Sequence, residues 1–75
     1  MTEKVKAYLK YELDGLRRVA AHHPHPEESW LAKDSIKSAA LSRALGVVLF
    51  AQMNGATYEE VNPLYEDFKN QIEKI

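Results

Sequence analysis

Cysteine is absent from this chain of 75 residues, which excludes disulfide bridges and thiolate metal sites. Proline and glycine are scarce, three of each. The chain therefore has few obligatory breaks, and it holds no Gly-rich phosphate loop. Neither sign of charge prevails: ten Lys and Arg stand against eleven Asp and Glu, a formal net charge of −1 with a pI near 6.3. That balance offers no general attraction to nucleic acid or anionic lipid, so a polyanion-binding role would need a local patch. Nucleophile elbow, HExxH spacing and Ser/His/Asp or Cys/His arrangements are all missing. No catalytic residues and no cofactor are expected. The opening MTEKVKAYLKYE lacks the apolar core and small-residue cleavage site of a signal peptide. A cytoplasmic location is the default expectation.

Long hydrophobic runs are also lacking. The longest uninterrupted one is Ala44 to Ala51, bracketed by Arg43 and Gln52, whereas a membrane-spanning helix needs about 20 apolar residues. Its expected role is the core helix of a small fold rather than a membrane anchor.

What is present centres on Ile36 to Met53, IKSAALSRALGVVLFAQM. At about 100° per residue, Ile36, Ala40, Ala44, Val47 and Ala51 share one arc, with Ala39 and Phe50 at its edge. Leu45, Val48, Leu49 and Met53 point away from that arc and are apolar too. A helix apolar on every side needs neighbours on more than one flank. A chain this short has limited means to cover both, so self-association through Leu45, Val48, Leu49 and Met53 is expected, with a dimer favoured. Small residues recur at four-residue spacing, Ser38, Ser42 and Gly46 in one row and Ala40 and Ala44 in another. Such rows allow close helix packing, expected here mainly within the chain.

Around this stretch the pattern predicts three helices in one domain, over about 2–21, 26–53 and 58–75. The fold class is all-α, an antiparallel three-helix bundle with a long central helix, packed as a homodimer. In the first helix Val5, Tyr8, Leu9, Leu13, Leu16, Val19 and Ala20 form a stripe, and Gly15 at its edge suggests a close helix crossing. Glu12 interrupts that stripe, as Arg43 interrupts the central helix. If the two faces meet, the acid and the base are expected to pair, because a buried charge without a partner costs several kcal/mol. The central helix should begin at Pro26 and run unbroken past Asp34 and Ser35, carrying Trp30 on an overhang that a second copy would cover. Asn54-Gly55 ends it. Thr57 and Glu60 have the spacing of a capping box that starts the third helix, with a kink or a broken first turn expected at Pro63.

Two other readings have residues to support them. His22, His23 and His25, with Glu27 and Glu28 nearby, could ligate Zn²⁺ or Ni²⁺. Histidines near a helix C-terminus have an ordinary electrostatic reason to be there, and the solvated-loop reading is preferred. Glu12, if buried and unpaired, would be a candidate ligand contact. Lys6, Lys10 and Arg17 lie along one face of the first helix and could contact phosphates. GATYEEV has the look of the turn in a helix-turn-helix, but from Asn54 onward two lysines face five acids, the wrong sign for a recognition helix. The composite expectation is a small cytoplasmic, non-catalytic interaction or regulatory protein that self-associates.

Overall fold

The computed structural model describes the backbone of residues 1–22 and 30–75 and the side chains of residues 1–21 and 34–75. Among the described residues there are three helices: α1 (Glu3–His22), α2 (Trp30–Met53) and α3 (Tyr58–Glu73). Among the described residues there is no strand. Together the helices form an all-α bundle whose extents are 43 × 17 × 17 Å. The expected start of the central helix at Pro26 lies outside the described residues. From Trp30 onward α2 passes through Asp34 and Ser35 without a break.

Each helix end has a local cause. Thr2 caps α1, its hydroxyl accepting from the Val5 amide at 3.2 Å. At the end of α2 the Gly55 amide donates to the Gln52 carbonyl and the Ala56 amide to that of Ala51, at 3.1 and 3.0 Å. This pair of bonds is a Schellman motif, and Gly55 supplies the left-handed conformation it needs, with φ of 100°. Ala56, just past it, is buried. Thr57 then accepts from the Glu60 amide while the Glu60 carboxylate accepts from the Thr57 amide, the full capping box. Pro63 sits inside α3 without breaking its first turn. The bond it forfeits would have gone to the carbonyl of Glu59, an exposed residue whose carbonyl water can satisfy.

The core is drawn from all three helices. Leu9, Leu13 and Ala20 come from α1, Ala40, Ala44, Val48 and Ala51 from α2, and Val61, Phe68 and Ile72 from α3. Among the described residues Leu9, Val61 and Ile72 are the largest fully buried side chains, each worth about 1.5–3 kcal/mol of burial. The contribution of α2 is unusual, because three of its four core residues among those described are alanines. Small side chains on its inner face let α1 and α3 come close to its backbone.

Val48, Val19 and Gly15 depart from the sequence pattern. Val48 is a core residue, only 8% exposed, and so does not belong to the outward set. Val19 is 65% exposed because the buried stripe of α1 is centred on Leu9, Leu13 and Ala20. Among the described residues nothing comes within 4 Å of where a Cβ on Gly15 would lie, so the close helix crossing expected there is not formed by them.

Candidate interaction surface

The surface that stands out is the outer face of α2. With its arc centre among Ala40, Ala44, Val48 and Ala51, the helix directs Leu45, Leu49 and Met53 roughly 105–175° away. Leu45 is 49% exposed, Leu49 60% and Met53 85%. Phe50, at the margin of this face, is half exposed and stacks at a tilt on Tyr8 of α1, ring centroids 5.1 Å apart. Toward the core the helix thus presents Ala40, Ala44, Ala51 and Val48, with Ile36, Leu41 and Val47 packed beside them, while Leu45, Leu49 and Met53 remain on the outside.

Between those large side chains runs the row Ser38, Ser42 and Gly46, and all three are exposed. A Cβ added at Gly46 would meet nothing within 4 Å. The row therefore does not serve packing within the chain, contrary to expectation, whereas the Ala40 and Ala44 row does. Burial alone separates the two rows, which have the same spacing.

The pair expected between Glu12 and Arg43 is not formed. Among the described residues the ion pairs are Met1 ammonium with Glu60, and Arg17 and Arg18 with Asp14. Glu12 is half-buried and Arg43 exposed, about 80° and 95° from the centres of their helices' buried arcs. At such margins both charges keep contact with water and neither needs the other. Arg43 instead edges a shallow cleft with Leu16, Val19 and Ile36.

Two carboxylates are perturbed by partners. The Met1 ammonium, 2.7 Å from Glu60, and then the Thr57 amide hold the Glu60 carboxyl below its ordinary 4.5. Asp14 is held below 3.8 by hydrogen bonds from Arg17 and then Arg18, at 2.5 and 2.6 Å. Both are structural contacts at helix surfaces. The Asp14 bonds also alter the basic face of α1, since Arg17 is already engaged while Lys6 and Lys10 are exposed.

The candidate metal ligands His22, His23 and His25 have no described side chains, and the same holds for Trp30. Those expectations lie outside the described residues. Among the described residues no three His, Cys, Asp or Glu side chains are grouped to hold a metal ion.

Compared with protein-family models, curated proteins and solved structures, the chain has no significant match. Its functional reading therefore rests on its own surfaces. By length and composition alone Asp34–Met53 is long and apolar enough to cross a membrane. That same stretch carries Asp34, Lys37 and Arg43, and its inner face is packed against the other two helices.

Proposed function

We propose that this chain is a small, cytoplasmic, non-catalytic interaction or regulatory protein that works as a homodimer, two copies meeting through the outer faces of α2. The observation that carries the reading is the apolar outer face of α2, where Leu45, Leu49 and Met53 stay in solvent although Ala40, Ala44, Val48 and Ala51 already fill the inner face. A free apolar side chain of this size offers on the order of 150–250 Å². Weighted by their exposures, Leu45, Leu49, Phe50 and Met53 supply roughly 450 Å² per copy, over half of the about 800 Å² per partner of a standard interface. Ser38, Ser42 and Gly46 let two such helices approach closely over that area.

The bundle is read as antiparallel between consecutive helices. Two contacts support this: the Met1 ammonium at the start of α1 reaches Glu60 at the start of α3, and Lys37 near the start of α2 donates to the Glu73 carbonyl at the end of α3, at 3.3 Å. A second copy suits the outer face better than lipid does, since a span over Asp34–Met53 would carry Lys37 and Arg43 into the hydrocarbon.

Sedimentation velocity at increasing concentration tests the reading directly. The wild type should sediment as a dimer, and the Leu49→Glu, Met53→Glu double variant as a folded monomer with unchanged circular dichroism. A wild type that stays monomeric at high micromolar concentration, or that partitions onto neutral vesicles instead of pairing, would remove the proposal.

A further inference from the structure

A second surface lies across the bundle from the outer face of α2. Helices α1 and α3 both pack on the inner face of α2, and between them, on the far side, runs a groove of about 730 Å³. On α1 it extends from Lys10 to Ala21, and on the other side from Leu64 along α3 to Ile75 just past its C-cap. At 1.5 Å per residue each wall is about 17 Å long, three turns of helix.

The floor is apolar and firm. Leu13 and Phe68 form part of the core, 7% and 3% exposed, and half-buried Leu64 and Ile75 continue the apolar strip. The rim is mainly basic, with Lys10, Arg17 and Arg18 along α1 and Lys74 on α3. Its two acids are engaged locally: Asp14 accepts from both arginines, and Asp67 accepts from Gln71 Nε2 at 3.1 Å. Lys10 and Lys74 have no ion-pair partner among the described residues. Counted by side chains alone, the four cations and two anions that line the groove sum to +2, on a chain whose side chains sum to −1, and Lys10 and Lys74 are the exposed cations outside the Asp14 cluster.

We propose that this groove docks an amphipathic helix of another protein, with an apolar stripe flanked by acidic residues. Length and floor match the helix-in-groove mode, in which apolar residues at i, i+3, i+4 and i+7 fill a hydrophobic strip. The rim selects acidic flanks by charge complementarity. A nucleic-acid backbone would make no use of Leu64, Phe68 and Ile75 and would set phosphates beside Asp14 and Asp67. Because the groove and the outer face of α2 lie on opposite sides, docking goes beyond self-association and does not depend on it.

The test is fluorescence anisotropy with a labelled helical peptide of about 18 residues bearing a leucine stripe and glutamate flanks, against one with lysine flanks. The full chain should bind the acidic peptide at least about tenfold more tightly, and more weakly between about 50 and about 300 mM salt. Lys10→Glu with Lys74→Glu, both at exposed positions, should cost about tenfold in affinity and leave thermal melting unchanged. Leu49→Glu with Met53→Glu should leave binding intact, which separates this proposal from the dimer. Absence of saturable binding at millimolar peptide, equal affinity for the two peptides, tighter binding of a single-stranded oligonucleotide, or loss of binding in the Leu49→Glu, Met53→Glu variant would each overturn it.

Discussion

Replacing Gly46 by alanine should move stability and association in opposite directions. Glycine in an exposed helix interior costs about 1 kcal/mol relative to alanine, and a Cβ at Gly46 meets nothing within 4 Å in a single copy. Nothing among the described residues therefore opposes the gain. For a domain of this size about 1 kcal/mol raises the melting temperature by about 4–8 °C. In the proposed dimer Gly46 lies where the two α2 helices approach closely, at the short end of the 8–10 Å range of interaxial distances. A methyl group there should push them apart and weaken pairing by roughly tenfold, about 1.4 kcal/mol. Gly15 supplies the control, since it too has open space around its Cβ position and lies on a different helix. Gly15→Ala should give a similar stabilisation and leave association unchanged. The assay combines melts by circular dichroism at micromolar and submicromolar concentration with sedimentation equilibrium for each variant. If Gly46→Ala leaves the dimer dissociation constant unaltered or tightens it, close packing at residue 46 is wrong. If it lowers the melting temperature of the monomer, the premise that the space is open fails.

Other expected outcomes follow from the contacts. Thr57→Ala removes the hydroxyl of the capping box and should cost about 1 kcal/mol in chemical denaturation; a change near zero would mean that the Glu60 side chain alone holds that helix start. Glu12→Ala and Arg43→Ala should each change stability by no more than about 0.5 kcal/mol, because neither is buried or paired with the other; a double-mutant cycle giving a coupling energy above about 1 kcal/mol would contradict this. Glu60 and Asp14 both have lowered folded-state pKa values. Their contribution should be complete above the ordinary values of 4.5 and 3.8 and be lost as pH falls through the folded-state values. Denaturation midpoints should thus be insensitive to these two groups between about pH 6 and pH 8 and decline in acid. Glu60→Gln should reduce the slope of that decline, and an unaltered acid limb would show that the Met1 contact adds no stability.

Much of the fold was legible in the sequence because it is local. The capping box at Thr57 and Glu60 and the glycine stop at Gly55 depend on residues within one turn of each other, so their spacing was enough to place the end of α2 and the start of α3. The apolar periodicities of α1 and α3 likewise reflect one buried face each. On α2 periodicity had little to work with, since its sequence is apolar all round, and only packing could decide which side faces in. Periodicity points Val48 outward for that reason, yet it is buried, since α2 packs against both α1 and α3.

The same limit governs the two surfaces. That α2 carries more apolar residues than one face can bury was written in residues 36–53, and Leu45, Leu49 and Met53 are indeed left in solvent. The groove between α1 and α3 had no sequence signal, because its walls come from segments more than forty positions apart that only the bundle brings together. Pairing of Glu12 with Arg43 failed for a related reason: sequence places a charge on a helix face, but the rotation of that helix about its own axis decides whether the charge meets a partner or water. Helix ends and apolar stripes were thus set by short-range chemistry along the chain, whereas the direction each stripe faces was set by how three cylinders settle against one another.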